Sequence, residues 1–175
     1  MIIIRGRVAT YGALWFDEEI PVRPDVDILL LSNRYEAVPS RRCVPFLTLV
    51  NDLTLPEERL FSGFSRTTQY EIRRAGARDA LEHSLLTEPA AHLQAFCDFY
   101  DRFAATRSLF PIYRREVSAA CEAGKLVLSA ASHAGTPIVW HAYLKSGTRV
   151  MLLSPRGESS RSLSCRCSTI CNDGR

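Results

Sequence analysis

The chain has 175 residues, of which 46% are hydrophobic and 23% charged. That composition lets one domain bury a sizeable core and excludes wholesale disorder. Its 22 basic and 19 acidic residues leave a net charge of +3, too small an excess to argue for nucleic acid by itself.

No apolar run reaches the roughly 18 residues of a membrane-spanning helix, so no membrane span is expected. The apolar start, Met1 to Ile4, is too short for a signal peptide and is interrupted by Arg5. A cytoplasmic location follows as the expectation.

Taken in chain order, the first third reads as strands and turns. Met1 to Val8 is rich in β-formers, and Asp27 to Ser32 and Pro45 to Leu53 are short apolar runs separated by Pro21, Pro24 and Pro39. Runs this apolar predict strands covered on both faces.

From Leu55 the pattern turns helical. Pro56 suits a first turn, and Glu57 and Glu58 stand at the positive end of the helix dipole. A second helix is predicted from Ser65 to about Ala75, before Gly76, and Leu81 to Thr87 reads as a strand. The clearest helix runs from Pro89 to Arg107, where Leu93, Phe96, Cys97, Tyr100, Phe103 and Ala104 make one continuous stripe. Asp98 and Asp101 flank that stripe and are expected to face solvent. A shorter helix spans Tyr113 to Ala123 and stops at Gly124.

A three-stranded meander is predicted next: Lys125 to Ser132, Pro137 to Lys145 and Arg149 to Ser154. Gly135 and Gly147 supply its turns. The order strand, helix, helix, strand, strand, strand predicts an α+β fold with helices packed over a mostly antiparallel sheet. Residues 1–154 form the expected domain. From Pro155 to Arg175 neither period survives, and Ser, Arg and Cys dominate, a composition that predicts an irregular, disordered tail.

Six cysteines are present. Cys43, Cys97 and Cys121 sit singly in apolar segments, as small buried hydrophobes do. Cys165, Cys167 and Cys171 crowd the tail without a histidine or a fourth nearby ligand, so no metal site is expected.

Three polar constellations stand out. Arg66, Arg73, Arg74 and Arg78 fall on overlapping faces of one helical region, with Tyr70 among them. That is a candidate anion contact, because guanidinium forks match phosphate oxygens, or else a solvated helix face. His141 and Tyr143 share one face of their strand, opposite Trp140 and Ala142. Glu82 and His83 are strand neighbours and point to opposite faces, so they form no acid–base pair.

Several segments carry a family resemblance. Phe64 to Ala75 (FSRTTQYEIRRA) resembles a helix of Fem-type peptidoglycan aminoacyl transferases and their single-domain relatives, in which an Arg-Arg or Lys-Arg pair precedes Ala. Phe96 to Arg107, with Phe99-Tyr100 followed by Phe103, belongs to the same resemblance. Gly135 to Leu144 (GTPIVWHAYL), Gly147-Thr148-Arg149 and Leu152-Leu153-Ser154 are similar to the central hairpin of Fem-like GNAT domains.

The resemblance covers about Phe46 to Ser154. It implies a GNAT-like fold that moves an acyl group from acyl-CoA, such as acetyl-CoA, to a small-molecule or peptide amine. On this resemblance His141 and Tyr143 are the catalytic candidates, His141 taking a proton from the attacking amine. A groove-wall histidine is the plainer alternative. Leu153, Ser154 and Gly157 are the donor-binding candidates, and Arg66, Tyr70, Arg73 and Arg74 the substrate or anion contacts.

Family members continue from that Ser into a helix whose N-terminal loop takes the donor pyrophosphate, as free helix N–H groups do, and then into a further strand. Gly157 is the one glycine near the right place, and no amphipathic helix follows it. The resemblance therefore predicts a domain incomplete at its C-terminal end. It leaves open a tRNA-dependent aminoacyl transferase of the Fem type and an inactive truncated remnant or binding module. An exposed sheet edge would then offer a surface for a homodimer.

Overall fold

The computed structural model describes residues 1–22, 24–39, 43–44 and 48–153. Ser154, Gly157, the cysteine-rich tail and the first residues of the Pro45–Leu53 run lie outside them. The described elements come in runs of strands and runs of helices without a repeated βαβ unit, and the class is α+β.

Three short strands come first. β1 (Ile2–Arg5) pairs antiparallel with β2 (Thr10–Trp15), which pairs in parallel with β3 (Ile28–Ser32). β2 has no counterpart in the sequence reading, because Gly12 interrupts its apolar pattern. The structure supplies the reason for that glycine. A Cβ there would stand 3.0 Å from Met1 Sδ and 3.1 Å from Leu29 Cδ1 and Val26 Cγ2, so crowding from three sides favours a residue with no side chain.

The strand expected over Pro45 to Leu53 is corrected. Residues 48–53 take no regular structure, and Leu49 is 96% exposed. An apolar run becomes a strand only where a neighbour completes its ladder. Here Asp52 instead closes a local turn, accepting hydrogen bonds from the Thr54 amide and hydroxyl. Ile28 at the start of β3 is also exposed, so that strand is not covered throughout.

Helix α1 (Glu57–Gly63) leads to α2 (Arg66–Ala77), whose N-cap Ser65 accepts from the Thr68 amide at 3.1 Å. Gly76, expected to stop α2, lies inside it, and the helix ends one residue later. No residue of α1 or α2 is fully buried.

β4 (Leu81–Leu86), α3 (Pro89–Thr106), α4 (Arg114–Glu122), β5 (Leu126–His133), β6 (Thr136–Ser146) and β7 (Arg149–Leu152) follow. The four strands form one antiparallel sheet in the order β4-β5-β6-β7. Its hairpins turn where expected, with Gly135 at φ +75° and Gly147 at φ +56°.

One core joins the two sheets. Ile2, Ile4 and Ala13 meet Phe96 and Cys97 of α3, Val117 and Ala120 of α4, and Leu126, Leu128, Ala142 and Leu144 of the four-stranded sheet. α4 packs against both β1 and β5. Trp140 faces α3, its ring 6.2 Å from Phe96 and 6.5 Å from Phe99.

Asp98 and Asp101 do not simply face solvent. Both accept from Arg114 Nη2, at 2.8 and 2.6 Å, and Asp101 also caps the Ile112 amide at 3.0 Å, which pins α4 to α3. The Arg114 contact is the largest influence on each carboxyl and holds both below the usual aspartate range.

A second set of polar contacts joins the sheets at the far end. Glu18, after β2, accepts from Lys125 and Ser146 and pairs with the Met1 amino group at 3.1 Å. Arg149 pairs with Asp17 at 3.0 Å, and its guanidinium stacks 4.0 Å from the Tyr35 ring.

Candidate functional site

The four-stranded sheet has one packed face and one open face, and strand periodicity assigns each residue to its side. Leu126, Leu128, Ala130, Trp140, Ala142 and Leu144 point toward α3 and α4. His83, Leu85, Val127, Ser129, Val139, His141, Tyr143 and Leu152 point the other way, as the ladder pairs Leu85–Ser129, Ser129–His141, Val127–Tyr143 and Tyr143–Leu152 require. This second face is open at its edges: Leu85 is 62% exposed and Leu152 50%.

His141 and Tyr143 occupy the middle of that face, with ring centroids 6.1 Å apart and planes inclined at 33°. Both are half-buried. Apolar side chains flank them, so the surface offers a polar centre within an apolar rim. A cleft of about 560 Å³ opens at one end of the sheet, where β4 ends and β5 begins. Leu85 and Val127 of the open face line that cleft, with Pro89 and Ala90 at the start of α3 and Cys121 at the end of α4. Burial pushes the Cys121 thiol up, so it stays protonated and behaves as part of an apolar wall.

Leu153 lies just past β7. Its amide donates to the Ala142 carbonyl at 2.7 Å, and its side chain packs against the main core. Its N–H is therefore engaged within the sheet. Ser154 and Gly157 lie outside the described residues.

The basic helix face expected from sequence is present on α2. Arg66, Tyr70, Arg73 and Arg74 follow one another at i, i+4, i+7 and i+8, which puts them on one side of the helix. Half-buried Thr68 and Ala75 take the opposite side, and half-buried Gln69 lies at its margin. Tyr70 is 59% exposed, Arg73 lies over the Phe61 ring at 4.9 Å, and Arg74 pairs with Asp79 at 3.1 Å. This face lies on α2, whereas the His141–Tyr143 pair lies on β6. The sequence reading missed Ser129, the residue across the ladder from His141, because a serine in an apolar strand gives no local signal.

Among the described residues no group of His, Cys, Asp and Glu is arranged to hold a metal ion. No described helix is long and apolar enough to cross a membrane. No protein-family model matches the chain, and no curated protein matches it.

Proposed function

We propose that this chain is an N-acyltransferase of the GNAT type, moving an acyl group from acyl-CoA to an amine. The observation that supports the reading is the open sheet face. The chain reaches it in the order strand, helix, helix, strand, strand, strand, and its central strand carries His141 and Tyr143 side by side. The same order and hairpin carry the sequence resemblance.

In this reaction the amine nitrogen attacks the thioester carbonyl, the new C–N bond forms and the C–S bond breaks. The nitrogen gives up a proton to His141, and the departing thiolate takes one from the Tyr143 hydroxyl. Solvent then returns both side chains to their starting states. Such proton transfers contribute roughly 10²–10⁴-fold, and most of the remaining acceleration comes from alignment of donor and amine. The apolar rim of Leu85, Val127 and Leu152, and the cleft that Leu85 and Val127 share, give an acyl chain an apolar surface to lie on.

The test is direct. The chain is incubated with acetyl-CoA and a panel of primary amines, and free CoA thiol is measured. Thiol release that depends on the amine and is lost in His141→Gln supports the reading. A folded chain that releases no thiol above background with any amine overturns it.

The Arg66, Tyr70, Arg73 and Arg74 face favours a second reading, in which the donor is an aminoacylated tRNA whose phosphates lie along α2. A thermal shift with tRNA that shrinks steeply with added salt would favour it over acyl-CoA.

A further inference from the structure

Ser129 is the most conspicuous polar group on the open face. It is only 2% exposed, and its Oγ meets no hydrogen-bond partner among the described residues. A buried hydroxyl left without a partner costs free energy, and native structures rarely tolerate one. Across the ladder, its Cα partner on β6 is His141. Directly opposed residues on one sheet face hold their Cβ atoms about 4.5–5.5 Å apart, within reach of a side-chain hydrogen bond.

Height above the sheet decides which ring nitrogen is available. Serine Oγ stands one bond beyond Cβ, close to the backbone. In histidine, Nδ1 is the ring nitrogen nearer the backbone and Nε2 the outer one. A short hydroxyl on the neighbouring strand can therefore meet Nδ1, while Nε2 stays outward.

We propose that Ser129 positions His141: the imidazole turns about its side-chain bonds so that Nδ1–H donates to Ser129 Oγ, which fixes the tautomer whose Nε2 lone pair faces outward. The pair gives the buried hydroxyl oxygen a donor and leaves the outward nitrogen able to accept a proton. Its purpose rests on the acyl-transfer reading, where the proton comes from the attacking amine, but its existence does not.

Among the described residues of that face, Ser129 is the polar one directly across the ladder from His141. On β4 the nearest residues are Leu85 and, on the diagonal, His83. β5 offers Val127 and Ala131, and β6 offers Val139, Tyr143 and, beyond it, Lys145. β7 contributes Leu152 and Val150. No carboxylate is among them. α2 packs against β4, and the carboxylate it carries, Glu71, is exposed.

The experiment is a long-range ¹H–¹⁵N spectrum of the full chain labelled at histidine, recorded with neutral imidazoles for wild type, Ser129→Ala and Ser129→Thr. We expect wild-type His141 to show a protonated Nδ1 and an unprotonated Nε2. Ser129→Ala should lose that single pattern and Ser129→Thr should restore it. In the thiol-release assay, Ser129→Ala should lower kcat with KM unchanged, and threonine should recover it. A wild-type His141 protonated on Nε2, or an unchanged pattern in Ser129→Ala, overturns the proposal. The wild-type spectrum alone suffices should a variant fold poorly. The fixed tautomer in a chain that transfers no acyl group would sink the acyltransferase reading and leave the pair standing. Acyl transfer with an unfixed tautomer would do the reverse.

Discussion

The two faces of the β4–β7 sheet are built from the same strands and serve opposite ends. Toward α3 and α4 the side chains are Leu126, Leu128, Ala142 and Leu144, all buried in the core that unites both sheets. On the other side they are Leu85, Val127, His141, Tyr143 and Leu152, and water reaches the rim. Alternation along a strand lets neighbouring residues carry unrelated tasks. Ala142 packs the core, and the residues on either side of it can be spent on chemistry.

That contrast is sharpest where substitutions on the two faces should act on different observables. The largest effect belongs to the open face. His141→Gln should slow acyl transfer by about 10²–10⁴-fold and leave the melting temperature unchanged, as thiol release and thermal unfolding would show together. A loss of stability in that variant would place His141 in the packing instead.

Next comes the packed face. Leu128→Ala should cost about 2–5 kcal/mol by denaturant titration, because Leu128 is fully buried and its neighbours cannot all close on the cavity. Leu85→Ala, on the open face, should stay within about 0.5 kcal/mol. Similar costs for the two would erase the distinction.

A third test concerns the polar contacts that join the two sheets. Burial is the largest influence on Glu18 and pushes it up. Hydrogen bonds from Lys125, Ser146 and the N-terminal amine together outweigh it, so the folded carboxyl titrates below its ordinary 4.5. A depressed folded value means the contribution is complete above the unfolded value and disappears as pH falls through the folded one. Glu18→Gln should therefore lose about 1.5–3 kcal/mol near neutral pH. Its deficit relative to wild type should shrink as the medium is acidified, which unfolding curves at several pH values would show.

The smallest effect on stability is expected on α2. Replacing Arg66, Arg73 and Arg74 singly by Ala should each change stability by less than about 0.5 kcal/mol, since all three side chains are exposed. If those substitutions also slow transfer from acetyl-CoA, α2 belongs to the reaction site and the separation of the two regions fails.

What could be read in the sequence was whatever a single element states about itself. The α3 stripe from Leu93 to Ala104, the start of α2 near Ser65, the Gly135 and Gly147 turns and the opposed sides of Trp140 and His141 all follow from local spacing. Even there Phe103, a member of the stripe, remains exposed. β2 was hidden because Gly12 answers to Met1, Val26 and Leu29, contacts that no local pattern records. The Pro45–Leu53 run misled for the converse reason: it has strand composition but no described neighbouring strand.

The candidate site divides in the same way. His141 and Tyr143 were legible as strand neighbours once removed. Ser129 became visible only when the β5–β6 register brought it opposite His141. Glu18 meets Lys125 and Ser146 across more than a hundred residues, a distance over which spacing carries no information.

The most direct test of the central claim is a backbone amide chemical-shift map of the folded chain titrated with acetyl-CoA. The account predicts saturable shifts concentrated on Leu85, Val127, His141, Tyr143 and Leu152, with α2 unmoved. Shifts confined to α2, or none at all in a chain whose spectrum shows it folded, would contradict it.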